Sequence, residues 1–285
     1  MLSFEQIVGE LDALNINLYD FSFYVPESSI QTHRFQPCNR CNNSYSVAKA
    51  FIMTAVGLLQ DDGLLEVTDS LYSVFANDFP KDADPVWRLT TIEHALTHRL
   101  GFDAPLLDID VDDVAAYPTD DYLRLVLSKP LPFLPGSHYQ YTDAAFYLMS
   151  RLVSHVSGER ADSLLWRRIL KPMGCVEVAW SRCPNEYPIG ATGLYIGAGD
   201  MVKLGALYLQ EGVYGGQRLI SKEWVRRAIA REYEFHVMTP KGLIGKGGMY
   251  GQGLVFSREK GFAAAWHSFD EGDGSRRIIE CLDNL

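Results

Sequence analysis

The sequence predicts an α+β fold, one antiparallel sheet built from both chain termini and flanked by helices, with an all-helical domain inserted between the two halves. Runs rich in aromatic and β-branched residues occur at both chain ends, and helical segments separated by Gly, Pro and Asp fill the middle. No repeat of fixed period or low-complexity tract competes with that order. The sheet domain is accordingly assigned residues 1–45 and 245–285, and the mainly helical domain residues 46–244.

Taken in order, Ser3 to Leu14 places Phe4, Ile7, Val8, Leu11 and Leu14 at spacings of three and four, with Ser3 as N-cap. That is an amphipathic opening helix. Leu18 to Val25 and Ser29 to Phe35 read as adjacent strands separated by Pro26-Glu27-Ser28. Val47 to Leu59 is apolar almost all round, which predicts a helix buried on every side. Further helices are expected at Thr91–Thr97, Asp120–Ser128, Asp143–Ser157, Asp162–Leu170, Asp200–Leu209 and Lys222–Ala230. Glycine-rich Gly242 to Gly253 reads as a mobile turn flanking a cleft. Tyr250–Phe256, Gly261–Ser268 and Arg276–Leu282 read as the closing strands.

Composition excludes several function classes. The 285 residues carry 26 basic and 36 acidic side chains, and a net charge of −10 without a basic patch argues against nucleic acid and anionic membrane surfaces as partners. The most apolar stretch, Ala50 to Leu59, is about half of what spans a bilayer. Five cysteines, an odd number, and an N-terminus lacking a basic region followed by an apolar run predict a cytoplasmic protein with reduced thiols.

The strongest chemical signal is Ser46-Val47-Ala48-Lys49 at the head of the buried helix. Residues three apart share a helix face, so the lysine amine comes within reach of the serine hydroxyl. Burial disfavours the ammonium form, which is what lets a lysine take a proton from a serine nucleophile. Other motifs lead nowhere. Cys38-Asn39-Arg40-Cys41 lacks a second ligand pair. Asp108-Ile109-Asp110-Val111-Asp112 opens like a calcium loop but has Asp113 and Thr119 where Gly and Glu are required. His94 and His98 are the only histidines four apart. No metal and no cofactor is expected.

Four further blocks accompany the Ser46 motif in a fixed order. They are Thr91 to Phe102, the stretch Phe133-Leu134-Pro135-Gly136-Ser137-His138-Tyr139-Gln140-Tyr141-Thr142-Asp143, Thr192-Gly193-Leu194-Tyr195 through Asp200 to Gly205, and Tyr250-Gly251-Gln252-Gly253 followed by Trp266-His267-Ser268. Together they resemble the serine β-lactamase and penicillin-binding-protein superfamily, closest to its class C β-lactamase, D-peptidase and esterase branch. The resemblance implies an active site where the two domains meet and a role for each matching residue. Ser46 would be the acylated nucleophile and Lys49 its base partner, while Tyr141 would shuttle a proton between Ser46 and the leaving group, aided by a protonated His267. Asp143 stands where many members have Asn, and a carboxylate facing Lys49 would keep it charged and favour Tyr141 as the base. Ser268 and Phe269 would contact substrate beside Asp143, and the amides of Ser46 and Asp270 would form the oxyanion hole.

Two departures qualify the resemblance. Phe269 replaces the usual Gly and would narrow the cleft, and only 17 residues follow Ser268, which predicts a sheet short of one strand. That shortened edge leaves a homo-oligomer through the sheet as a partner option. The function implied is a serine hydrolase forming an acyl-enzyme at Ser46 and cleaving a small ester or amide, of carboxylesterase or D-amino-acid peptidase type. The alternatives are a true β-lactamase or D-Ala-D-Ala carboxypeptidase acting on β-lactam or peptide, and a catalytically impaired binding or scaffold protein of the same fold.

Overall fold

In the computed structural model, residues 3–285 are described. The helices are α1 (Phe4–Asp12), α2 (Ala48–Asp61), α3 (Leu71–Val74), α4 (Ile92–Leu96), α5 (Tyr122–Leu127), α6 (Asp143–Ser157), α7 (Ala161–Leu165), α8 (Ala198–Leu209), α9 (Lys222–Ala230) and α10 (Gly274–Asp283). The strands are β1 (Leu18–Tyr24), β2 (Gln31–Arg34), β3 (Asn42–Asn43), β4 (Val178–Trp180), β5 (Leu194–Ile196), β6 (Val213–Tyr214), β7 (Gln217–Arg218), β8 (His236–Val237), β9 (Ile244–Gly248), β10 (Gln252–Ser257) and β11 (Phe262–Ser268). Among the described residues no helix is long and apolar enough to cross a membrane.

The chain divides into two compact units. The first comprises the residues up to Ala50, Arg168–Ala179 and Leu194–Leu285, and the second Phe51–Arg167 with Trp180–Gly193. This division differs from the boundaries expected at residues 45/46 and 244/245. The reason is that α8, assigned from sequence to the helical domain, lies against β1, β10 and β11 of the sheet.

In the first unit six strands run in the order β2-β1-β11-β10-β9-β8, every neighbouring pair antiparallel. Both chain ends therefore build one sheet, as predicted. The pleat sends alternate side chains to opposite faces. Phe21, Phe23, Phe262, Ala264 and Trp266 join Ile7 and Leu11 of α1 and Ile278, Ile279 and Leu282 of α10 in one buried core. Asp20, Ser22 and Ala265 take the opposite register, facing α8. There Gly205 makes a close approach, since a Cβ would lie 3.1 Å from both Ala263 Cβ and Leu254 Cδ1. The Ser3 N-cap is a full capping box with Gln6.

Three closing-segment expectations need correction. Arg276–Leu282 is not a strand but the core of α10, because Ile278, Ile279 and Leu282 are buried on one face while Arg276 and Glu280 pair four apart in solvent. Gly242 to Gly253 is not a mobile turn but contains β9 and the start of β10, pinned at its outer edge by the buried ion pair Lys246 Nζ to Glu234 Oε2 at 2.5 Å. The sheet has no missing edge beside the last strand, because β11 is enclosed by β1 and β10.

The second unit packs α3, α4, α5 and α7 around α6. Thr142 caps α6 by accepting the Ala144 N–H, and Gly158 ends it at φ +75°, the left-handed conformation glycine tolerates best. From α7 the chain continues through a π-helical turn, Trp166–Leu170, within the single helix expected at Asp162–Leu170.

Candidate active site

In the first unit, Ser46 sits in a 3₁₀ turn, Tyr45–Val47, that leads directly into α2. The turn is suspended from strand pairing: β3 pairs with β5, the Ser44 N–H donates to Leu194 O at 2.8 Å, and the Tyr45 N–H donates to Asn43 Oδ1 at 2.9 Å. One turn along, Lys49 Nζ donates to Ser46 Oγ at 2.9 Å, and Lys49 is fully buried. A partly exposed serine backed by a desolvated amine is the arrangement an activated serine needs. The helix start adds a positive dipole end beside the alkoxide that forms on attack.

β9 and the turn after it form the surface under the nucleophile. A Cβ on Gly248 would lie 2.4 Å from Ser44 O, so the glycine allows the two backbones to approach. The Tyr45 ring meets the Tyr250 ring edge-on at 5.3 Å. Both tyrosines hold left-handed backbone, φ +48° and +58°, at a cost on the order of 1 kcal/mol each. Neither Gly248 nor the tyrosines were singled out as site residues from sequence. The available signal was the glycine run itself, which reflects close backbone approach as often as a turn.

Residues 267–270 form the end of β11 and the two residues that follow it. His267 is fully buried and its Nδ1 lies 3.0 Å from Oδ1 of buried Asp20, an acceptor-only partner that assigns the proton to Nδ1. Its Nε2 is also buried and has no hydrogen-bond partner among the described residues. Ser268 Oγ donates to Tyr250 O at 3.1 Å, and the Ser268 backbone exchanges hydrogen bonds with the Gln252 amide. The Asp270 N–H donates to Tyr250 O at 3.0 Å, which removes it from the oxyanion role expected of it. Trp266 Nε1 donates to Gly251 O at 2.7 Å, and the Phe269 N–H to Asn17 O at 3.0 Å. The end of β11 therefore fastens the Tyr250 turn in place. Gly251 and Gly253 belong to this fastening, since a Cβ would lie 2.6 Å from Ser268 Oγ at the first and 2.0 Å from the Trp266 ring at the second. Phe269 alone of the four is exposed, its ring stacked on Tyr250 at 4.5 Å and 18°.

In the second unit, Tyr141 immediately precedes the α6 cap and lies against His98, ring centroids 4.4 Å apart. His98 Nδ1 accepts the Thr142 N–H, and His94 Nδ1 accepts the Thr91 N–H in a capping box at α4. Burial lowers the His94 pKa. Both rings thus serve the backbone. Asp143 is the first residue of α6, and its carboxylate lies within 4.8 Å of those of Asp108 and Asp110. Carboxylates are the donors a hard cation takes, but three of them leave calcium short of its usual set of about 6–8 oxygens. Cys38 and Cys41 have their thiol pKa values raised by burial, which keeps them in the unreactive form.

The chain matches the family model described as Beta-lactamase over residues 43–279. Esterase EstB of Burkholderia gladioli is 29% identical over 140 residues, covering 45% of this chain and 36% of the esterase. A D-alanyl-D-alanine-carboxypeptidase/endopeptidase, AmpH of Escherichia coli (strain K12), is 24% identical over 166 residues, covering 52% of this chain and 43% of the peptidase. The chain thus spans well under half the length of these curated relatives. Among solved structures, the D-amino acid amidase from Ochrobactrum anthropi SV3 superposes with a TM-score of 0.70 at 16% identity over 98% of both chains, a likeness of fold.

Proposed function

We propose, since the chain belongs to the β-lactamase family, that it is a serine hydrolase that forms a covalent acyl-enzyme at Ser46 and cleaves a small ester or amide. The observation that carries this reading is the 2.9 Å contact between buried Lys49 Nζ and Ser46 Oγ. In the first step Ser46 Oγ bonds to the substrate carbonyl carbon while its proton passes to Lys49 or Tyr141, the two candidate bases. The oxyanion is held by the Ser46 N–H. The C–O or C–N bond then breaks as the proton reaches the leaving group through Tyr141, whose role is carried over from the resemblance. Water attacks the ester at Ser46 by the same steps in reverse order, releasing the acid. Ester and amide substrates are preferred because an esterase, an amidase and a peptidase stand among the similar proteins.

A second reading, a binding protein that keeps the fold without turnover, is favoured by one observation: the Asp270 amide is already donated to Tyr250 O. Intact-mass spectrometry separates the two. The protein and its Ser46→Ala variant are incubated with a fluorophosphonate and a fluorescent penicillin, with p-nitrophenyl acetate hydrolysis followed in parallel. The hydrolase reading expects one adduct per chain, absent from the variant. No adduct from folded protein overturns it.

A further inference from the structure

We infer that Phe269, Tyr250 and Tyr45 form an aromatic platform beside the nucleophile that selects substrates with a planar aromatic acyl group, an inference that rests on the acyl-enzyme reading of Ser46. Phe269 departs from the residue type expected in its block, and the residue is 45% exposed while the three residues before it are buried. Its backbone is fixed by the Phe269 N–H to Asn17 O bond, so the exposure is not that of a loose loop tip. One face of the ring stacks on Tyr250 at 4.5 Å and 18°. Tyr250 in turn meets Tyr45 edge-on at 5.3 Å, and Tyr45 is joined by a peptide bond to Ser46. The three rings form a continuous run that ends at the residue next to the nucleophile in sequence.

Two features show that this run is built and held. Tyr45 and Tyr250 both adopt the left-handed conformation that bulky L-residues avoid, and such outliers persist only where their surroundings over-determine them. The surroundings are visible at Tyr250, whose carbonyl accepts from both Ser268 Oγ and the Asp270 N–H. Flat rings with an open face bind other flat rings better than they bind aliphatic groups of equal size, because offset stacking adds to the area buried. The acyl side is favoured over the leaving group because the acyl carbon stays bonded to Ser46 Oγ through the intermediate, next to Tyr45.

The test uses reversible serine-directed probes of matched size on the full chain. Phenylboronic and cyclohexylboronic acids bond to the serine oxygen and differ in the planarity of one ring. We expect the phenyl compound to inhibit with a Ki about tenfold lower. Phe269→Leu, which keeps apolar volume and loses the ring, should bring the two Ki values within about twofold of each other, its melting temperature serving as the check on folding. Equal Ki values in the wild type, or a ratio unchanged in Phe269→Leu, overturn the platform while leaving the hydrolase intact. A preference expressed only with benzyl against ethyl leaving groups overturns its assignment to the acyl side. A protein that forms no adduct with boronic acid or fluorophosphonate loses both readings together.

Discussion

Two buried polar pairs in the sheet-bearing unit invite comparison. Lys49 and Ser46 lie three residues apart on one helical turn, and the pair ends in a partly exposed serine. His267 and Asp20 lie 247 residues apart, joined only because β11 pairs with β1, and both are buried. Both are the kind of arrangement that activates a group, and the first is the more open of the two. The difference teaches that a titratable pair is chemical where one member is open, and otherwise structural. A buried donor bonded to a carboxylate stabilises the fold chiefly through the cost of leaving either partner alone.

The largest expected effects test the open pair. Ser46→Ala should lower ester turnover by about a thousandfold or more, and Lys49→Met by about 10²–10⁴-fold, with both proteins folded by circular dichroism. Lys49→Met with turnover intact would break the comparison, because the open pair would then be no more chemical than the sealed one. Next comes the floor under the nucleophile. In Gly248→Ala the new methyl must clear Ser44 O, 2.4 Å from its ideal position, and displace the Ser46 turn. A shift of about 1 Å there should cost turnover on the order of 10²-fold, read as a fall in kcat, against a stability loss of about 1–3 kcal/mol.

The sealed pair should behave in the opposite way. Asp20→Ala strands a buried His267 Nδ1, already accompanied by an unpartnered Nε2, and should cost about 1–3 kcal/mol in urea unfolding with kcat within about twofold of wild type. Replacing both members, Asp20→Leu with His267→Phe, should cost less than the sum of the single changes, since no polar group is then left alone. A folded Asp20→Ala protein without turnover would show that the sealed pair reaches the chemistry after all.

What could be read from sequence follows the same division between local and distant. The Ser3 cap, the buried course of α2, the bounds of α6 and α9 and the Ser46–Lys49 contact are set by neighbours within a turn, and the period of the sequence shows them. Asp20 could not be found that way, nor could the meeting of Asp143 with Asp108 and Asp110, because pairing register and chain reversal bring those groups together. The β9 glycines were misread for a physical reason. Glycine marks both sharp turns and close approach, and Gly248 against Ser44 O is the second case. The short run Arg276–Leu282 fits either period, and only packing against α1 settles it as helix.

The smallest effect concerns a histidine between the two extremes. His94 is half-buried, and its Nδ1 accepts the Thr91 N–H that opens α4, so the ring must be neutral at that nitrogen to keep the cap. Burial lowers its pKa below the ordinary histidine value. Between the folded and unfolded values the unfolded chain binds more protons, so stability falls as pH drops through that window and is fully present above it. The expected loss is about 1 kcal/mol, the worth of one cap, between pH 7.5 and pH 5. Hydrogen exchange at the Thr91 amide should quicken over the same interval, after correction for the intrinsic rate. His94→Gln keeps an acceptor at the capping-box position and does not titrate, so it should flatten the slope while leaving the cap in place at pH 7.5. A slope that survives His94→Gln would assign the pH dependence to other groups and make His94 as inert as the sealed pair.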